Sequence, residues 1–192
     1  MNAEYIRLMN DFLLVMQQRR VPFVVVGGIA LLQHVPGRNT EDLDIILAAP
    51  RLSQIPELEV AERNDMFAKA SFHGLRVDLL FCEHPFFERI DRDFSAELPY
   101  SVGLLRTATV EGLILLKLFA LPSLYRQFDL DLAAIYEADL TQLVFRTTRE
   151  DAFFVDVLRE FQTPSDLRET SAILTEIRQK ISRFRGRNRS ST

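Results

Sequence analysis

Two aspartates, Asp42 and Asp44, stand two residues apart in the run Asp42-Leu43-Asp44-Ile45-Ile46-Leu47. On a strand, positions i and i+2 point to the same side, with Cβ atoms roughly 6.5–7 Å apart. Carboxylates so placed repel each other and are costly to desolvate. They are tolerated where they face water or hold divalent cations, and oxygen donors of this kind suit Mg2+ or Mn2+. A third acid, Asp78, lies in Leu75 to Phe81, where alternation puts Val77, Leu79 and Phe81 on one face and Arg76, Asp78 and Leu80 on the other. Upstream, Gly27-Gly28 follows the β-branched run Val24 to Val26. Glycines between a strand and a helix let backbone approach a ligand closely, and the helix start offers unpaired N–H groups to an anion. A phosphate-cradling turn and three strand-borne carboxylates together describe metal-assisted phosphoryl or nucleotidyl transfer, with two ions about 3.5–4 Å apart on the reacting oxygens. Asp78 is the natural general base for an incoming hydroxyl, although metal alone could assist that proton's loss.

The elements that must carry these groups follow from periodicity. Ile6, Met9, Leu13 and Met16 form one stripe of a helix over Asn2 to Arg20. Val21 to Val26 reads as a buried strand, Ile29 to Gln33 as a short helix, Val35 to Glu41 as a loop, and Asp42 to Leu47 as a second strand. Residues 51 to 65 are weakly patterned, and Pro56 forbids a long helix there. Met66 to Phe72 and Leu75 to Phe81 flank a His73-Gly74 turn. A short helix over Pro85 to Asp91 and a strand over Tyr100 to Arg106 complete the mixed half. Then come helices from Thr109 to Leu121, ended by Pro122-Ser123, from Arg126 to Ala138, from Asp151 to Phe161, and from Thr163 to about Arg183. The reading is an α/β core over 1–108, a helical part over 109–182, and a basic tail over 183–192.

Composition bounds the alternatives. With 192 residues and 47% apolar content, the chain can bury a core without disulfides. A single cysteine, Cys82, excludes a disulfide framework and a thiolate zinc site. No apolar run approaches the ~20 residues of a membrane span, and no signal peptide is visible, so a cytoplasmic protein is the default expectation. Arg183, Arg185, Arg187 and Arg189 make the terminus basic, so the rest is more acidic than the net charge of -4 shows. Such a tail either frays in solvent or touches phosphate. Lysine occurs only at 69, 117 and 180. Lys117 lies within Leu113 to Phe119 and either snorkels toward an anionic cleft or marks the wet stripe of its helix. Arg38 either clamps phosphate or is an exposed loop arginine. His34, His73 and His84 show no ligand spacing and read as loop, turn and cap residues, Cys82 as a small buried hydrophobe, and Phe86-Phe87 and Phe153-Phe154 as core.

Gly27-Gly28, a short helix, Asp42-x-Asp44 and a lone Asp78 one hairpin later resemble the polymerase-beta-like nucleotidyltransferase superfamily. Arg38-Asn-Thr40-Glu-Asp42-Leu-Asp44-Ile resembles the version found in the bacterial abortive-infection type and its toxin relatives. Val110 to Leu118 resembles that group's helix with an inward lysine, Lys117, and Asp129-Leu-Asp131 its later aspartate motif, with Phe128 or Leu130 where a lysine is usual. The resemblance implies a nucleoside triphosphate donor, Mg2+ or Mn2+, and release of pyrophosphate. Asp42, Asp44 and Asp78 would form the metal-holding catalytic triad. Gly27, Gly28, Arg38, Thr40 and Lys117 would bind the nucleotide, with Gly28 in the place of the common serine. The resemblance implies an acceptor among RNA ends, protein hydroxyls and small antibiotics; the basic tail and the toxin-like motif favour tRNA or protein, in a toxin–antitoxin system with an antitoxin partner. A catalytically silent binding module and a Mg2+-dependent phosphohydrolase are the competing expectations.

Overall fold

The structure, a computed structural model, describes residues 3–35 and 40–189. The chain forms two compact units, Met1–Thr109 and Val110–Thr192.

The first unit is built on a seven-stranded mixed sheet with helices. Helix α1 spans Ala3–Gln18 and buries Met9, Leu13 and Met16 of the expected stripe together with Phe12, whereas Ile6, also expected in it, is exposed. Strand β1 is Val24–Val26 and runs directly into the six-residue helix α2, Gly27–Leu32. Strand β2 is Asp42–Leu47. After a 3-10 helix at Ala49–Gln54 come β3, Leu58–Arg63, β4, Phe67–Phe72, and β5, Leu75–Phe81. Helix α3 is Pro85–Asp93, then β6, Ser95–Tyr100, and β7, Gly103–Ala108. The strand order is β3-β4-β5-β2-β1-β7-β6. β2 lies parallel to β5 and antiparallel to β1, which is parallel to β7. The ring of Phe12 meets that of Phe72 edge-on at 5.1 Å, which fixes α1 against the sheet.

Several boundaries differ from the sequence reading. Residues 51 to 65 carry a strand, β3, that has no apolar alternation because it is a sheet edge exposed along most of its length. The single strand expected over Tyr100 to Arg106 is a hairpin, β6 with β7, turning at Ser101-Val102. Pro99 argues against a strand in sequence, yet β6 is the other edge, where a missing N–H breaks no ladder bond. His84 caps α3, its Nδ1 accepting the Phe86 N–H at 3.3 Å.

The second unit is helical: α4, Val110–Arg126, α5, Leu130–Arg146, α6, Asp151–Leu158, and α7, Pro164–Arg189. Its core includes Leu113, Ile114, Leu118, Leu140, Leu143, Phe154 and Leu174. Pro122 does not end α4 as expected; it lies inside it. A proline there deprives the carbonyl four residues back of its donor. That carbonyl, of Leu118, instead accepts from Gln162 Nε2 at 3.0 Å and from Thr170 Oγ1 at 3.5 Å. Helix α7 also continues beyond the expected end near Arg183. No helix among the described residues is long and apolar enough to cross a membrane.

Candidate active site

The three aspartates converge through strand register. In the parallel pair β2–β5, Asp44 is the partner of Asp78, and Asp42 is the partner of Arg76. Cross-strand partners share a face and lie one strand spacing apart, about 4.8 Å. Asp42, Asp44 and Asp78 therefore occupy one face, while Leu43, Ile45, Val77 and Leu79 are buried on the other. The hydrophobic residues of the two strands enforce this register, since a slip of one residue would drive the acids into the core.

The Gly27-Gly28 turn is shaped by those acids. Val26 pairs with Asp44, so the backbone that follows passes over the Asp44 carboxylate. Gly27 has φ of 58°, and a Cβ on it would fall inside that carboxylate. The Gly28 N–H donates to Asp44 Oδ2 at 3.3 Å. A Cβ on Gly28 would fall on the hydroxyl of Thr40. Thr40 is 8% exposed, and its Oγ1 lies 2.9 Å from Asp42 Oδ1 and 3.2 Å from the Asp42 carbonyl. The glycines thus make room for one carboxylate and for the hydroxyl that contacts the other. Tyr5, on α1, donates to the Asp42 carbonyl at 2.9 Å. Burial and the charges of Asp42 and Asp44 push its phenol up, so it stays a protonated donor.

Burial pushes the Asp78 carboxyl up, and the Asp42 charge pushes it further; Lys69 and Arg76 pull the other way, and Glu62 adds to the rise. Lys69 is the β4 partner of Asp78, and its Nζ lies 3.0 Å from Glu62. Among the described residues no three His, Cys, Asp or Glu side chains are gathered tightly enough to cage an ion unaided. The donor set still fits a hard divalent cation: its members are carboxylate oxygens on one face, and their mutual repulsion is what such a charge relieves. Mg2+ is ordinarily held by one or two carboxylates, with water and substrate phosphate completing its shell.

The other expected site residues are placed as follows. Arg38 lies outside the described residues. Lys117 is 7% exposed in α4, so it does not lie on a wet stripe. Its Nζ is 2.9 Å from Asp139 Oδ2 and 3.9 Å from the centre of the Tyr136 ring, both on α5. Asp129 caps α5 by accepting the Leu132 N–H at 3.2 Å, and Asp131 sits exposed in that helix's first turn. Two residues of consequence escape sequence reading. Tyr5 lies one helical turn before Met9 with no motif around it, and Asp139 looks like any acid of an amphipathic helix until Lys117 is found facing it.

No protein-family model matches the chain, and no curated protein matches it in sequence. Solved structures do match in shape. An antigenic nucleotidyltransferase-like protein from Paracoccidioides brasiliensis superposes with a TM-score of 0.59 at 13% identity, over 93% of this chain and 90% of that one. The antibiotic-resistance factor ANT(2'')-Ia superposes with a TM-score of 0.51 at 14% identity, over 97% of this chain and 100% of that one. The carboxylate face and the glycine turn therefore sit in a nucleotidyltransferase-like fold, which is what these likenesses establish for this chain.

Proposed function

We propose that the chain is a metal-dependent nucleotidyltransferase that moves a nucleoside monophosphate from a nucleoside triphosphate to an acceptor hydroxyl. One observation carries this reading: Asp44 and Asp78 are cross-strand partners, with Asp42 on the same face beside the Gly27-Gly28 turn. In the reaction, the acceptor oxygen forms a bond to the α-phosphorus as the bond to the β-bridging oxygen breaks, and pyrophosphate leaves. Asp42, Asp44 and Asp78 would hold Mg2+ or Mn2+, which supplies charge neutralisation at the triphosphate when bound. Asp78, the one acid contributed by β5, is the residue we assign to take the acceptor proton. The backbone of the glycine turn would cradle phosphate oxygens, with Arg38 supplying cationic charge.

The acceptor we assign is an RNA end, tRNA in particular, or a protein hydroxyl, in a toxin–antitoxin setting with an antitoxin partner. Support comes from the Arg38 to Ile45 motif and the four terminal arginines. The test is label transfer. Full-length protein, Mn2+ or Mg2+ and each α-labelled nucleoside triphosphate are mixed with total RNA, with lysate protein, or with neither. Asp42→Ala and Asp44→Ala should reduce labelling to background while keeping the wild-type circular dichroism spectrum. Asp78→Asn should cost about 10²–10⁴-fold, the usual worth of a general base. Wild-type labelling by the alanine variants, or release of phosphate in place of pyrophosphate, would overturn the reading.

A further inference from the structure

The two acids of β2 are held differently. Asp44 has a β1 partner, Val26, on one side and a β5 partner, Asp78, on the other, and its carboxylate receives the Gly28 N–H. Asp42 has a strand neighbour only on the β5 side. Across from it, β1 has already ended and the chain has turned into α2 at Gly27. The Asp42 carbonyl is thus a strand acceptor at the frayed end of a ladder, where a backbone group without a partner is costly. It accepts from the Tyr5 hydroxyl at 2.9 Å and from Thr40 Oγ1 at 3.2 Å. The Thr40 hydroxyl has one proton to share between that carbonyl and Asp42 Oδ1, at 2.9 Å. Only when another donor takes the carbonyl is the threonine proton free for the carboxylate.

Tyr5 is placed for this by packing. It is one turn ahead of Met9 on α1, so it continues the stripe whose later members, Phe12, Leu13 and Met16, are fully buried. Anchoring that stripe carries the phenol to the start of β2, 37 residues away in sequence.

We infer that Tyr5 is a positioning residue: its hydroxyl replaces the missing β1 donor, fixes the backbone at Asp42, and leaves the Thr40 hydroxyl to orient the Asp42 carboxylate for the metal. The inference rests on the transferase reading for the metal's purpose, but the brace itself can be judged without it.

The test uses Tyr5→Phe in the full chain, which keeps the ring and removes one hydroxyl. Three quantities are read: amide hydrogen exchange over residues 41–44 in metal-free protein, Mn2+ affinity by electron paramagnetic resonance, and kcat against KM for the nucleotide. Expected are exchange and Mn2+ dissociation constants each raised about fivefold, the worth of one ordinary hydrogen bond. kcat should fall with KM unchanged. Met16→Ala is the control for mere loosening of α1; it should lower the melting temperature and leave Mn2+ affinity alone. Unchanged exchange at 41–44 in Tyr5→Phe would overturn the brace. Faster exchange with unaltered Mn2+ affinity would overturn the link to the carboxylate, and so would Met16→Ala weakening Mn2+ as much as Tyr5→Phe. A wild-type protein that binds Mn2+ yet transfers no label would sink the transferase reading, while exchange and Mn2+ affinity still decide the role of Tyr5.

Discussion

Asp78 is the residue at which folding and chemistry pull apart. Its carboxyl is pushed up by burial and by Asp42, so in the metal-free protein its ionisation opposes folding. Below the ordinary carboxylate range both folded and unfolded chains are protonated there, and nothing is lost. As pH rises toward the folded value the unfolded chain ionises first, and stability falls. Asp78→Asn should therefore melt above the wild type at neutral pH without divalent metal, with the gain vanishing in acid. Added Mg2+ should narrow the gap by stabilising the wild type alone. A melting difference that persists unchanged at acid pH would refute this account. The acid's placement was readable in sequence, because Asp78 falls on the opposite face of an alternation whose buried members are Val77, Leu79 and Phe81. The Tyr5 contact was not, because a hydrogen bond across 37 residues leaves no periodic trace.

Elements are held by a few specific polar links that offer equally direct tests. Arg19, just past the end of α1, makes a two-pronged pair with Glu57 and also donates to the Gln54 carbonyl at 2.9 Å. The Arg19 guanidinium holds the Glu57 carboxyl down at about 2, against an ordinary 4.5. A depressed carboxyl contributes stability above its unfolded value and loses it as pH falls through the folded one. Glu57→Gln should thus be less stable than wild type at neutral pH and equal to it near pH 2, which acid titration of the denaturation midpoint would show. In the helical unit, Lys117 and Asp139 form a buried pair. Lys117→Met alone should cost about 3–5 kcal/mol by stranding the carboxylate, and Lys117→Met with Asp139→Leu should recover most of it. Urea denaturation of the three proteins measures both. Sequence patterning revealed the strands with two different faces, β2 and β5, and the strongly apolar α4. It missed β3, because an exposed edge has no face to alternate. It also ended α4 too early, because Gln162 and Thr170, which take the Leu118 carbonyl freed by Pro122, are remote in sequence.

Across the whole molecule, the open sheet has to guard its two edges. β6 carries Pro99 and Glu97, and β3 carries Glu59, Glu62 and Arg63 with a register shift between Val60 and Glu62. Charge, proline and irregular pairing are the usual means of denying an edge to another strand. Replacing Glu59, Glu62 and Arg63 together by threonine should produce concentration-dependent association, visible by light scattering where the unaltered chain scatters as a constant species. The mixed α/β architecture was legible because the apolar period changes near residue 108, whereas the order of the strands follows from pairings between distant segments. Tyr5, the glycine turn, Thr40 and the three aspartates all lie within the first 78 residues, and the last strand of their sheet ends at Ala108. During synthesis, that sheet has wholly emerged once Ala108 leaves the ribosome, before any of the four later helices has emerged. Domains tend to fold in that order as they emerge. On a crowded polysome, the charged edge of β3 would then protect half-made chains from one another while the remaining residues are still being added.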